Sequence, residues 1–189
     1  MLAVNTYDEF LKLVEVITKS YSSVPETLSN DKPGIIVLVG PSGSGKTKIA
    51  ARLLNKCSNI EKLKSYTTKD PTSLKENDWY NYISLDEFHT MCANEELFES
   101  TMYAGHGYGS KLEDVNKILK DGKHVLTTMD ICGAMSLKTN FSNVITVYIK
   151  RDRRKLIESI LNKNSSNEDK VNRLISIEDE KNNEDICDY

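Results

Sequence analysis

Gly40-Pro41-Ser42-Gly43-Ser44-Gly45-Lys46-Thr47 fits the pattern G-x-x-x-x-G-K-[ST], which is typical of a phosphate-binding loop. The segment before it, Ile35–Val39, consists only of branched apolar residues, as in a buried parallel strand. Helix-forming residues with an apolar stripe follow it over residues 48–54. Glycines let backbone N–H groups turn toward phosphate oxygens, and the N-terminus of the helix adds partial positive charge. A strand, a loop and a helix in this order favour a nucleoside triphosphate site over a ligand-free glycine-rich turn.

Two side chains of this phosphate-binding loop, residues 40–47, are suited to the chemistry of a bound triphosphate. Lys46 is long enough to reach the β- and γ-phosphates and is therefore a candidate catalytic residue. The hydroxyl of Thr47 can join the coordination shell of a Mg²⁺ ion that accompanies the triphosphate. The whole loop is predicted to form the binding site of the nucleoside triphosphate: Gly40, Pro41, Ser42, Gly43, Ser44, Gly45, Lys46 and Thr47.

Composition restricts the possible partners. The chain has 189 residues, with 28 acidic and 25 basic side chains, so no overall basic field favours nucleic acid. The absence of a long apolar run and of a secretion leader predicts a cytoplasmic protein without a membrane partner. The cysteines make no C-x-x-C pair, which indicates reduced thiols rather than zinc ligands or disulfides: Cys57, Cys92, Cys132 and Cys187.

Apolar segments that alternate with amphipathic helices predict an α/β fold, with a parallel sheet covered on both faces. Between the core elements, residues 66–110 are expected to form a strand-rich insertion. Further core strands are expected near 124–130 and at 143–149, and helices at 111–120, 153–161 and from about 169. Strands of the insertion are expected at 79–83, 96–103 and 106–109.

Residues 1–32 are predicted to form an extension ahead of a domain at 33–189. Thr6-Tyr7-Asp8-Glu9 fits a capping box at the start of a helix over residues 6–20. Residues 21–33 are polar and contain prolines, as in a linker. The helix can pack on the core or support a homodimer, and the sequence leaves both open. Its apolar face would consist of Phe10, Leu13, Val14 and Ile17.

Several segments beyond the loop resemble, in order and spacing, the motifs of guanylate kinase. Ser65-Tyr66-Thr67-Thr68 resembles its S-x-T-T, and Tyr80 stands at the tyrosine of its D-Y-x-F. Glu95 to Glu99 is similar to its E-F-L-E, Gly105 to Ser110 to its G-N-x-Y-G-[ST], and Asp130 to the second aspartate of its D-x-D. The resemblance extends over about residues 33–175.

The resemblance implies a P-loop NTPase fold of three layers, with a nucleoside-monophosphate-binding region at about 66–110 and a small lid at about 162–172. It implies that Glu99 and Ser110 read guanine, because one carboxylate can accept from both N1–H and N2–H of that base. Other GMP-binding residues would be Asp130 and Ser65 near the base, and Lys69, Tyr80 and Tyr108 at the phosphate. Lys163 and Arg173 would be catalytic residues that close over the transferring group from the lid.

Each of these side chains also has a simpler structural interpretation. Ser110 and Asp130 can cap the helices that follow them. Glu99 can be an exposed strand carboxylate, and Tyr80 and Tyr108 can be packing aromatics. These alternatives stay open for each residue alone, whereas the common spacing of the set favours a site.

The chain departs from the family pattern mainly at arginines. Lys69 and Thr72 stand where the family has two phosphate-clamping arginines, so the bidentate fork is lost at one position and the charge at the other. Thr128 replaces the first aspartate of D-x-D, and Ser159 stands where a lid arginine is expected. The basic run at 150–154 can supply replacements, although such runs are usually solvated. We expect these changes to affect efficiency and substrate choice more than fold.

The resemblance implies a nucleoside-monophosphate kinase that transfers the γ-phosphoryl group of ATP to GMP or dGMP with Mg²⁺. One alternative is a kinase of the same fold that prefers another nucleoside monophosphate. The other is a non-catalytic nucleotide-binding regulator or scaffold. Scaffold relatives typically have a degraded phosphate-binding loop, whereas residues 40–47 are intact here, and this favours an enzyme.

Overall fold

The computed structural model describes residues 32–71, 79–103 and 105–189, which form two sheets surrounded by helices. The expected helix over residues 6–20, its linker and Thr72 lie outside the described residues. The strands are β1 (Ile35–Val39), β2 (Ile60–Lys62), β3 (Ser65–Thr67), β4 (Tyr80–Tyr82), β5 (Glu99–Tyr103), β6 (His106–Ser110), β7 (His124–Thr128) and β8 (Val144–Tyr148). The helices are α1 (Lys46–Lys56), α2 (Leu85–Ala93), α3 (Leu112–Lys120), α4 (Ile131–Asn140), α5 (Arg153–Leu161) and α6 (Asn167–Lys181), followed by a 3₁₀ helix (Asn182–Asp185).

The core sheet is wholly parallel, with the strand order β2-β7-β1-β8. β1 lies between two neighbours, and Ile35 pairs with both Val125 and Val144. All of its residues are buried, because helices cover both faces of the sheet. The predicted α/β architecture with a parallel core is therefore confirmed.

Alternate residues of β1 point into two apolar layers. Ile36 and Leu38 belong to a cluster with Leu53 of α1. Ile35 and Val37 belong to a cluster on the other face, which includes residues of α3 and α4. This three-layer packing fixes the carboxyl end of β1, where the phosphate-binding loop begins.

The second sheet has the order β4-β3-β6-β5 and mixes parallel and antiparallel pairs. Its close packing requires glycine at one position in particular, since a Cβ on Gly107 would lie 2.7 Å from the ring of Phe88. Phe88 is on α2, which begins with a capping box between Ser84 and Glu87. β5 begins at Glu99 rather than at 96, because a turn with a left-handed Glu95 precedes it.

A lysine and a tryptophan connect the two sheets. Lys62 on the core edge strand β2 places its Nζ 3.6 Å from the ring centroid of Trp79, just before β4. The same nitrogen donates a 2.8 Å hydrogen bond to the Trp79 carbonyl. This arrangement is a cation–π contact with a fixed geometry. It attaches the edge of the core sheet to the second sheet.

The remaining differences from the expected elements are local. β2 was not expected, since a strand of three residues carries too little periodicity to be recognised. α6 begins at Asn167 rather than near 169, because Ser166 caps it by accepting a hydrogen bond from the amide of Asp169. Asp188 and Tyr189 run beside β8 and hydrogen-bond to its backbone at Thr146.

α5 and α6 pack against each other through Leu156, Ile160 and Ile177. The turn between them and the first turns of α6 make up the segment expected to be the lid. Among the described residues, none of the helices combines the length and the apolar character that crossing a bilayer requires.

Candidate active site

The phosphate-binding loop follows β1 and has left-handed glycines at positions 40, 43 and 45. Gly40 has a φ of 134°, and a Cβ there would lie 2.8 Å from the carbonyl oxygen of Ile149. Gly43 has a φ of 85°, and its Cβ would lie 3.3 Å from the side chain of Ser159. The loop is thus packed against the turn after β8 and against α5. Its curvature comes from the positive φ angles of its glycines.

Gly40→Ala is expected to destabilise the fold by roughly 1–3 kcal/mol more than Gly45→Ala, measured by chemical denaturation. Both glycines have positive φ and both variants are strained. Among the described residues, backbone atoms lie within contact distance of the Cβ added at Gly40, whereas no atom lies within 4 Å of the Cβ added at Gly45. Equal losses would mean that the loop can move away from Ile149 without cost.

Lys46 opens α1 and turns back over the loop. Its Nζ donates hydrogen bonds to the carbonyl oxygens of Gly40 and, at 3.2 Å, Pro41. Burial lowers the pKa of Lys46 to about 8, although the nearby carboxylate of Glu180 opposes the change. The cations Lys163 and Arg173 lower this pKa further. The loop is therefore strongly electropositive.

Arg173 of α6 contacts the loop directly. Its Nη1 donates a 2.8 Å hydrogen bond to Ser42 Oγ, and its Nε forms a 2.8 Å ion pair with Asp169. Lys163, in the turn after α5, is close enough to act on the pKa of Lys46. The structure thus brings together the three side chains for which the sequence predicts a catalytic role.

A second polar group of residues, the Glu99 cluster, comprises Ser65, Glu99 and Ser110 on the inserted sheet and Asp130, which follows β7 of the core sheet. Glu99 and Ser110 are directly opposite each other in the pairing of β5 with β6. Ser110 is fully buried, and its Oγ lies 3.4 Å from Ser65 Oγ. Helix α3 has Lys111 as its N-cap, with no side-chain cap bond, so the alternative of Ser110 as a helix cap is wrong.

Glu99 is not a solvated strand carboxylate. Burial raises its pKa to about 7, a hydrogen bond from Ser110 opposes the shift, and the charge of Asp130 adds to it. Asp130 also caps α4, since its Oδ1 accepts a 2.8 Å hydrogen bond from the amide of Gly133. Asp130 therefore both caps a helix and lies near Glu99, so its two interpretations are compatible.

The residues expected near the acceptor phosphate are only partly described. The rings of Tyr80 and Tyr108 meet edge to face with their centroids 6.0 Å apart, so their interpretation as packing aromatics also holds. The backbone amide of Lys69 donates to Thr67 Oγ1 at 3.2 Å. Thr72, the second position of the expected clamp, lies outside the described residues. Thr47 is exposed at the first turn of α1.

Two charged residues at the loop were not predicted as site residues. Arg151 Nη1 donates a 2.5 Å hydrogen bond to the carbonyl of Gly43. Glu180 of α6 is half-buried near Lys46, and burial raises its pKa. A signal for Glu180 was present, because it follows Arg173 and Ile177 at the spacing of one helical face. An acidic and amide run such as residues 178–185 is usually a solvated face, but Glu180 departs from that pattern.

The intact loop at the end of the central strand, with cations around it, defines a P-loop nucleotide-binding protein, and its inserted sheet carries a separate polar cluster. Residues 32–187 match the family model described as guanylate kinase. The chain belongs to the guanylate kinase family.

Individual relatives agree with this assignment. The guanylate kinase of Rickettsia prowazekii is 35% identical over 159 residues, which are 82% of this chain and 80% of that protein. The guanylate kinase of Polaromonas sp. is 31% identical over 121 residues, 63% of this chain but only 59% of the relative's own length. The crystal structure of guanylate kinase from Anaplasma phagocytophilum superposes with a TM-score of 0.64 at 23% identity, covering 87% of this chain and 78% of that one.

Proposed function

We propose that this protein is an ATP-dependent phosphotransferase that converts GMP or dGMP to the diphosphate. The observation that carries the proposal is the half-buried Glu99 beside Ser110, on a sheet that is separate from an intact phosphate-binding loop. A kinase that phosphorylates a nucleotide needs two nucleotide sites, one for the donor and one for the acceptor. The two polar regions of the fold supply them.

The chemistry of the Glu99 cluster suits guanine. An ionised Glu99 accepts from N1–H and N2–H, and the Ser110 hydroxyl faces O6. Asp130 assists near N2, and Ser65 lies beside the base. A base that leaves these buried groups unpaired costs roughly 1–3 kcal/mol in binding, which is the source of selectivity. Tyr80, Tyr108 and Lys69 hold the acceptor phosphate.

The donor side stabilises charge and orients the triphosphate. The N–H groups of the loop and the Lys46 ammonium bind the β- and γ-phosphates, while Arg173 and Lys163 approach from α6 and the turn before it. Thr47 is exposed at the start of α1, and its hydroxyl oxygen is a suitable ligand for a Mg²⁺ ion. The ion would neutralise charge between the phosphates of ATP. Transfer itself is then mainly a matter of positioning.

The proposed organisation has a nucleotide-binding domain at 33–189, an acceptor region at about 66–110 and a lid at about 162–172. The turn between α5 and α6 carries Lys163, so closure of this lid would bring its charge onto the phosphates and exclude water. We place the protein in the cytoplasm, consistent with the free thiols of its cysteines. A homodimer through residues 1–32 stays open.

A coupled assay with ATP, Mg²⁺ and a panel of GMP, dGMP, UMP, CMP and dTMP tests the proposal. Turnover is expected with GMP and dGMP, and the pyrimidine nucleotides are expected to react at least tenfold more slowly, given the cost of unpaired polar groups. A preference for a pyrimidine would support the alternative of a kinase for another monophosphate. ATP binding without any turnover would support the regulator.

A further inference from the structure

We propose that Arg151 binds the triphosphate of the donor nucleotide. The proposal rests on the proposed function only in taking ATP as the donor. Arg151 lies in the turn between β8 and α5, and β8 is the direct neighbour of β1 in the core sheet. The carboxyl ends of the two parallel strands therefore place Arg151 beside the phosphate-binding loop, where its Nη1 reaches the Gly43 carbonyl.

Two basic residues near Arg151 in the chain have their charges neutralised by ion pairs. Lys150 pairs with Glu184 at 2.9 Å, and Arg153 pairs with Glu178 at 2.9 Å. Within residues 32–71, 79–103 and 105–189, the hydrogen-bond acceptor of the Arg151 side chain is a neutral carbonyl. The side chain is exposed, and a guanidinium has five N–H donors, so most of them are available to a ligand.

A cavity of about 820 Å³ is lined by Arg151 and by three residues of the loop, Pro41, Ser44 and Gly45. Its walls are the first turn of α1, the turn that carries Arg151, and one side of α6. Six basic and three acidic side chains line it, which leaves an excess of positive charge. A cavity of this size is large enough for a nucleotide, and its charge suits a ligand whose phosphates enter the adjacent loop.

Binding of ATP would exchange the acceptor of Arg151. The guanidinium would give up the neutral carbonyl of Gly43 for anionic phosphate oxygens, and charge-assisted hydrogen bonds are about twice as strong as neutral ones. Its planar fork can also donate two parallel bonds to one phosphate group, which a lysine cannot do. The bond to Gly43 holds the side chain near its target beforehand and so reduces the entropy lost on binding.

The test measures ATP binding by calorimetry without any acceptor, so that failure of the proposed GMP reaction does not affect it. Arg151→Ala is expected to raise the Kd for ATP about tenfold. The Kd of Arg151→Lys for ATP should lie between those of Arg151→Ala and the wild type, because lysine keeps the positive charge but lacks the planar fork of donors. The Kd for GMP is expected to stay unchanged. Arg154→Ala is the matched control, since Arg154 is an exposed arginine of the same basic run that does not line the cavity.

Comparing nucleotides with different numbers of phosphates gives a second readout, which a purely structural role of Arg151 would not produce. The loss caused by Arg151→Ala should be larger for ATP than for AMP, because a guanidinium that binds the triphosphate has little to bind in AMP. Thermal unfolding of each variant checks the fold. Wild-type ATP affinity in Arg151→Ala would overturn the proposal, and so would equal losses in Arg151→Ala and Arg154→Ala, or equal losses for ATP and AMP.

Discussion

Lys46→Ala is expected to keep the fold and to reduce kcat by roughly 10²- to 10³-fold or more, because the charge that develops between the β- and γ-phosphates loses its preorganised partner. A coupled assay at saturating ATP and GMP measures the loss. Lys56→Ala provides the control, since Lys56 is an exposed lysine in the last turn of the same helix. Normal turnover by a folded Lys46→Ala variant would contradict the assignment of the donor site.

The pH dependence of stability gives an independent measurement on the same residue. The pKa of Lys46 is about 8 in the folded protein and 10.5 as its ordinary value, so between these values the unfolded chain binds more protons than the folded one. The free energy of unfolding of the wild type should therefore rise with pH across that window. This rise should be absent from Lys46→Ala. Subtracting the free energy of unfolding of the variant from that of the wild type at each pH shows whether the Lys46 contribution increases with pH.

Glu99→Gln is expected to weaken GMP binding by about 10- to 100-fold, since an amide presents an N–H₂ group in place of one acceptor oxygen. Titration calorimetry with GMP measures the change. Glu96→Gln is the control, because Glu96 is an exposed carboxylate paired with Lys111. Equal GMP affinities of Glu99→Gln and the wild type would show that Glu99 does not face the base.

The same variant should change the pH profile of binding. With a pKa of about 7, Glu99 is largely protonated at pH 6 in the free protein, so wild-type affinity for GMP should rise about tenfold from pH 6 to pH 8. The titration of the GMP phosphate affects the wild type and Glu99→Gln equally. The difference between their two pH profiles of GMP affinity therefore reports the titration of Glu99 alone. A parallel pair of profiles would contradict the proposed role.

Stability should move in the opposite direction to binding. The folded pKa of Glu99 lies above its ordinary value of 4.5, so the folded protein holds more protons between pH 4.5 and 7. The free energy of unfolding of the wild type therefore loses a contribution as pH rises through this window. Glu99→Gln has no such loss and is expected to be the more stable protein above pH 7, as measured by chemical denaturation.

Sequence patterns were sufficient where a local rule determines the structure. The loop with its strand and helix, the capping box at Ser84 and the parallel core all follow from residues close together in the chain. The resemblance assigned Glu99 and Ser110 to one site, and the pairing of β5 with β6 places them opposite each other. A local rule misleads at Ser110: serine is the better N-cap residue, yet Lys111 is the N-cap of α3, because Ser110 is still paired within β6 opposite Glu99.

Contacts between distant segments were missed for a different reason. Arg151 reaches Gly43 because β8 lies next to β1, and a basic run alone does not say which of its members faces the loop. Glu180 is half-buried because α6 passes beside the loop. The sequence indicates this only through its helical spacing from Arg173 and Ile177. Tertiary neighbours decide the contact that Arg151 makes and the burial of Glu180, whereas composition suggests that both side chains are solvated.

The contact between Lys62 and Trp79 provides an optical probe within the native chain. Trp79 is the single tryptophan of the protein, so its indole emission arises from one place. That place is the junction of the core edge with the inserted sheet, 3.6 Å from an ammonium group. A rotation of the inserted sheet about this junction would alter the environment of the indole and hence its fluorescence spectrum. Acceptor-induced closure could therefore be followed by stopped-flow emission in the unlabelled wild-type protein.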